Sequence, residues 1–120
     1  MEFVTVSWSR VNMTAGLGSQ GCARLAESLM CNTHVKTLNL AGNAIGDRGA
    51  QRIARVLTRP TNVIRSVNMS GNNLTEVAGY WLSVALKTAP YLTDLDLSYN
   101  CLGDSGVLST VYSVYNVSLE

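Results

Sequence analysis

One nine-residue pattern recurs three times in this chain, and it constrains the fold more than any other feature. Val35-Lys36-Thr37-Leu38-Asn39-Leu40-Ala41-Gly42-Asn43 returns as Ile64-Arg65-Ser66-Val67-Asn68-Met69-Ser70-Gly71-Asn72, and again as Leu92-Thr93-Asp94-Leu95-Asp96-Leu97-Ser98-Tyr99-Asn100. Reduced to its apolar places it reads L-x-x-L-x-L-x-x-N, with the closing asparagines 29 and then 28 residues apart. A fixed period of this size marks a stack of like units, each too small to bury its own apolar face alone.

Between the asparagines runs a second pattern. Ile45, Gly49, Ile53 and Leu57 answer to Leu74, Ala78, Leu82 and Leu86, and Leu17, Gly21, Leu25 and Leu29 occupy the same places one period earlier. Apolar residues at Leu38 and Leu40 alternate as in a strand with one buried face, whereas Ile53 and Leu57 keep the i, i+4 spacing of a helix. The expectation is an α/β, right-handed solenoid with a parallel sheet on its concave side and helices on its convex side. Asp47, Thr75 and Asp104 are expected to cap the second, third and fourth helices, with Pro60 and Pro90 just beyond two of them. The chain divides into a degenerate unit at 1–34, where Trp8, Val11 and Met13 take the apolar strand places and Gly16 stands where the asparagine should be. Units at 35–63, 64–91 and 92–120 follow, all within a single domain.

These residues resemble the ribonuclease-inhibitor subfamily of leucine-rich repeats, whose long units read L-x-x-L-x-L-x-x-N-x-L-x-D-x-G-A-x-x-L-A-x-x-L. Val35 to Leu57 follows that consensus with Asp47, Gly49, Ala50 and Ala54 included, and the likeness runs from Leu17 to Gly106. The subfamily includes ribonuclease inhibitor, NOD-like receptor sensor regions, tropomodulin-like actin regulators and the GTPase-activating protein for Ran, which share a fold without sharing a function. The resemblance implies that Asn43, Asn72 and Asn100 turn inward to satisfy backbone groups, and that the concave sheet is the binding surface. It therefore implies a non-catalytic protein-binding module or scaffold. GTPase activation of the Ran type and a structural subunit of a large assembly stand as alternatives.

Composition narrows the classes further. A net charge of +1 with 14% charged residues gives no general attraction to nucleic acid or to anionic membrane. No apolar run approaches the roughly 20 residues that span a bilayer. Cys22, Cys31 and Cys101 are an odd, widely spaced set without a C-x-x-C pair, which suits a reducing, cytoplasmic setting better than a disulfide framework or zinc. The sequons at Asn12, Asn68, Asn73 and Asn116 are a weak contrary signal. Neither a cofactor nor a metal is expected: the glycines follow the repeat rather than a phosphate loop, His34 is a lone turn histidine, and Asp94 and Asp96 have no third ligand. A fragment of a longer repeat protein is a standing alternative, because Met1-Glu2-Phe3 and Leu119-Glu120 are what two common cloning sites encode.

Alternation places two rows on the concave face, one of Arg10, Thr37, Ser66 and Asp94 and one of Asn12, Asn39, Asn68 and Asp96, with Lys36 and Arg65 beside them. On the convex side Arg48, Arg52, Arg55 and Arg59 share one edge of the second helix, a stripe suited either to solvent or to an acidic partner. Tyr80 and Trp81 are expected outward on the third helix, covered by Arg52 or forming a small protein contact. The uncharged stretch from Ser105 to Leu119 reads as a weak fourth helix beside an unpaired strand, which predicts self-association through Val111 and Tyr115. For the inward and outward asparagines the expectation is a loss of about 1–3 kcal/mol for Asn72→Ala but under about 0.5 for Asn68→Ala.

Overall fold

The structure, a computed structural model, describes residues 2–6, 10–14, 16–103 and 116–118. Among the described residues, six strands form one sheet in chain order: β1 (Glu2–Val6), β2 (Arg10–Thr14), β3 (Thr37–Asn39), β4 (Ser66–Asn68), β5 (Asp94–Asp96) and β6 (Asn116–Ser118). From β2 to β6 every pairing is parallel, and α1 (Gly18–Leu29), α2 (Gly46–Leu57) and α3 (Glu76–Leu86) link the first four of these strands. The three helices pack side by side in chain order against the sheet.

Each unit is built the same way because its apolar residues all point into the layer between sheet and helices. Leu38, Val67 and Leu95 at the strand centres are almost fully buried, as are Leu40, Met69 and Leu97 just after them. Ile45, Ile53 and Leu57 of the second unit and Leu74, Leu82 and Leu86 of the third meet them from the helical side with no exposed surface. Burying side chains of this size is worth about 1.5–3 kcal/mol each, so the shared core supplies most of the stabilisation. Gly49 lets α2 approach α1 closely: a Cβ there would stand 2.7 Å from the Cβ of Ile45 and 3.3 Å from the Sγ of Cys22.

The asparagines form an internal ladder. Asn72 Oδ1 accepts from the backbone N of Asn43 (2.9 Å) and Ile45 (3.3 Å), while its Nδ2 donates to the carbonyls of Leu40 (2.9 Å) and Ser70 (3.0 Å). Asn100 serves Asn72 and Leu74 in the same way, and Asn43 serves Leu17. Each asparagine thus ties down the turn of the unit before its own. Peptide groups that would otherwise be buried without partners are satisfied, which fixes the stagger between units.

Three expectations are corrected. Asp47 does not cap its own helix. The residue at that cap is Ile45, without a side-chain bond, and Asp47 sits in the first turn of α2. Its carboxylate reaches instead to the next unit, where Thr75 is the side-chain cap of α3 as expected. The turn of the first unit is one residue shorter than the others, since Met13 to Leu17 spans four positions where Leu40 to Ile45 and Met69 to Leu74 span five. By strand register Gly16 stands at the place of Asn43, as expected; counted back from Leu17 it stands at the place of Ala44, whose positive φ it shares (73° and 52°). Second, residues 116–118 are strand rather than the end of a fourth helix, consistent with the low helix propensity of Val117. Third, the edge of β5 is therefore not unpaired, for Asp94, Leu95 and Asp96 register with Asn116, Val117 and Ser118. Trp8, Asp104, Val111 and Tyr115 lie outside the described residues.

At the other end, β1 pairs antiparallel with β2, from Glu2↔Thr14 to Val6↔Val11, with an irregularity between Phe3 and Thr5. An antiparallel strand at a sheet edge needs no helix to return the chain, so it adds a strand without adding a repeat.

Candidate protein-binding surfaces

The sheet face carries the two expected rows in register. Arg10, Thr37, Ser66 and Asp94 stand side by side on β2 to β5, and Asn12, Asn39, Asn68 and Asp96 form the next row. Arg10 and Asp94 are exposed and the small residues between them are half-buried. Lys36 and Arg65, exposed just before β3 and β4, add positive charge, and the Arg65 carbonyl accepts from the N–H groups of Thr93 and Asp94 on the side of the neighbouring strand. Positive charge therefore gathers on β2 to β4 and negative charge on β5.

The second row does more than face outward. Asn39 Oδ1 accepts from Ala41 N (3.1 Å), Asn68 Oδ1 from Ser70 N (2.9 Å) and Asp96 Oδ1 from Ser98 N (3.0 Å) and the Ser98 hydroxyl (2.5 Å). These are local side-chain-to-backbone turns that end each strand. Alternation in the sequence gives their direction but not this bond.

The helical face holds the second candidate surface. Arg48, Arg52, Arg55 and Arg59 are all exposed along α2. On α3, Tyr80 and Trp81 are 56% and 38% exposed, and their rings meet edge to face at 5.6 Å. Arg52 does not cover Trp81. It leans toward α1, lining one depression with Glu27 and Met30 and another with Ser19 and Gln20. The arginine beside Trp81 is Arg55, across a shallow depression of about 120 Å³ whose lining includes Ala54, Val84 and Ala85. Sequence reasoning missed Val77 and Val84, which are 52% and 41% exposed. A comparison of outward positions one period apart finds them, because they lie 29 residues after Arg48 and Arg55.

Among the described residues no three His, Cys, Asp or Glu side chains converge as for a metal ion, and no helix is long and apolar enough to cross a membrane. All three cysteines are free thiols; Cys31 and Cys101 are exposed. Cys22 is buried, its Sγ 3.5 Å from the Gly49 carbonyl, and burial pushes its thiol up to about 12.

A family model described as leucine-rich repeat matches residues 31–54 and 88–109. The chain is a leucine-rich repeat protein of the ribonuclease-inhibitor-like type. It is 35% identical over 89 residues to the ribonuclease inhibitor of Sus scrofa, covering 74% of this chain and 20% of that protein. With the NACHT, LRR and PYD domains-containing protein 12 of Homo sapiens it shares 37% identity over 92 residues, 77% of this chain and 9% of that one. The repeat chain thus spans about a fifth or less of the length of these curated relatives. The fold of a leiomodin-1 structure, titled as its actin-binding site 2, superimposes with a TM-score of 0.76 at 22% identity, over 93% of this chain and 70% of that one.

Proposed function

We propose that this repeat chain is a non-catalytic protein-interaction module that engages a folded protein through the outer face of its sheet. The observation that carries the reading is the register of β2 to β5, which turns single residues into two continuous rows, basic toward Arg10, Lys36 and Arg65 and acidic at Asp94 and Asp96. A graded surface of that kind selects a partner of opposite polarity and fixes its orientation, contributing more to specificity and association rate than to raw affinity. The name of the porcine relative supports a protein as the partner, since it is an inhibitor of another protein. Three free thiols suit a reducing, cytoplasmic compartment.

The reading is tested by swapping charge at the two ends of the sheet, Arg65→Glu and Asp94→Lys. Cross-linked partners recovered with the parent chain are expected to be lost with the double variant. They are retained when the helical face alone is altered. Acceleration of GTP hydrolysis by a Ran-class GTPase would replace this reading with the GTPase-activator one, and recovery only in a large complex of fixed composition would favour the architectural one. Self-association through the C-terminal edge is a secondary part of the proposal. Sedimentation as a monomer at high micromolar concentration would remove it.

A further inference from the structure

The outward stripe of α3 is apolar where a surface helix is ordinarily polar. Val77, Tyr80, Trp81 and Val84 follow the i, i+3, i+4, i+7 spacing of a single helix face, and all four are exposed. The opposite face, with Ala78, Leu82, Ala85 and Leu86, is already buried in the core. No charged residue occurs on α3 between Glu76 and Lys87. A helix apolar on both faces implies a second covering layer.

The stripe beside it has the opposite character. Arg48, Arg52 and Arg55 stand one 29-residue period before Val77, Trp81 and Val84, so the repeat sets a cationic ridge on α2 parallel to an apolar ridge on α3. The only acidic residue of α2 is Asp47, whose carboxylate is already engaged by Thr75 and Ala78, and Glu27 of α1 lines a depression with Arg52 and Arg55 on the side away from α3. The depression between the two ridges has an apolar floor at Ala54 and Ala85 and lies open between Arg55 and Trp81. Tryptophan, tyrosine and arginine are also the residues that most often dominate binding energy at protein interfaces.

We infer that these two ridges dock an acidic amphipathic helix from a partner protein. Neighbouring parallel helices leave a groove that accepts a third helix at about 8–10 Å from each axis. The α2 and α3 helices, at 12 and 11 residues, offer about 17 Å of such a groove, some three turns of a ligand helix. The ligand's carboxylates pair first with Arg55, which lines the groove, and then with Arg52 and Arg48 on its far bank toward α1, while its adjoining apolar stripe covers Val77, Trp81 and Val84. A nucleic-acid backbone matches only the first ridge, because it has no apolar stripe to set against the second. The inference concerns the helical face and stands apart from the sheet-face reading.

The probe is a capped helical peptide of about 15 residues made of alanine, four glutamates spaced four, three and four apart, and leucines on the adjoining face. Calorimetry with the full chain is expected to give a Kd of about 10–100 µM at low salt, weakening at least tenfold at about 0.5 M salt. The pair Arg52→Glu with Arg55→Glu, and separately the pair Trp81→Ser with Val84→Ser, should each weaken binding about tenfold or more. All four positions are exposed, and unchanged thermal unfolding verifies that the fold is intact. The charge-neutral sheet-face pair Thr37→Ala with Ser66→Ala should leave binding unaltered. No heat at about 1 mM peptide, equal binding of a peptide with glutamine for glutamate, insensitivity to either helical-face pair, or preference for phosphatidylserine vesicles over the peptide in competition overturns the inference.

Discussion

The carboxylate of Asp47 on α2 holds the first turn of α3 through Thr75: Oδ1 accepts from the Thr75 backbone N at 2.8 Å, and Oδ2 accepts from the Thr75 hydroxyl at 2.6 Å. Ala78 N donates to the same Oδ1 at 3.3 Å. An acidic group at a helix start satisfies otherwise unbonded N–H groups and favours the positive end of the helix dipole. Here that group comes from the preceding unit. The contact is therefore a clasp between repeats as well as a cap, and its loss should loosen α3 from α2.

Replacing Asp47 with alanine is expected to lower stability by about 1–2 kcal/mol, toward the lower end because the site is solvent-accessible. A double-mutant cycle with Thr75→Ala should show a coupling of at least about 0.5 kcal/mol in urea unfolding. Additive losses would mean that the Thr75 hydroxyl contributes nothing to the clasp.

The two kinds of asparagine should separate by degree. Asn72→Ala removes four hydrogen bonds at a fully buried site and should cost about 1–3 kcal/mol. Asn68→Ala removes one bond to a half-buried turn, from Ser70 N, and should cost about 0.5–1 kcal/mol, above the expectation drawn from the sequence. Denaturant midpoints rank the two directly, and a larger loss at Asn68 would contradict the observed register.

The repeat was legible because the pattern that marks it is also what holds it together. Leu38, Leu40 and Asn43 are conspicuous at fixed spacing for the same reason that they are buried, so period, strand positions and inward asparagines could be read without coordinates. Relations that cross the period were not legible. That Asp47 serves Thr75 depends on the stagger between units, which no single unit encodes. The antiparallel β1 has no counterpart in later units, so a search for self-similarity passes over it. On the helical face, spacing within α2 revealed the arginines. Val77 and Val84 went unnoticed because, taken within one helix, a valine reads as core.

Gly49 offers a packing test of the inter-repeat distance. An added Cβ would lie 2.7 Å from Ile45 Cβ, inside the preceding turn rather than against a flexible chain end, and would also press on Cys22 across the α1–α2 contact. Alanine's better helix propensity, worth about 1 kcal/mol, works in the opposite direction. Overpacking should win, since Ile45 and Cys22 are both fully buried and cannot move outward. Gly49→Ala is expected to destabilise by about 1–2 kcal/mol net, and a gain in midpoint would show that the α1–α2 spacing relaxes freely.

Thiol chemistry distinguishes the core cysteine from the other two. Cys31 and Cys101 are exposed, whereas Cys22 is fully buried on α1 with its thiol raised from 9.0 to about 12 by desolvation. Only the thiolate attacks a disulfide reagent, so at pH 8 both access and ionisation work against Cys22. A chromogenic disulfide reagent should therefore titrate two thiols promptly and the third only as the chain unfolds. The same shift sets an alkaline limit on stability. Because the folded-state value lies above the unfolded one, the Cys22 contribution is complete below about pH 9 and fades as pH rises toward 12. Cys22→Ser should remove both the third reactive thiol and the Cys22 part of the alkaline loss, while stability at neutral pH falls through the burial of a more polar hydroxyl beside the Gly49 carbonyl. Three thiols reacting at one rate in the folded chain would mean that α1 opens readily from the core, and the close α1–α2 packing at Gly49 would then not describe the chain in solution.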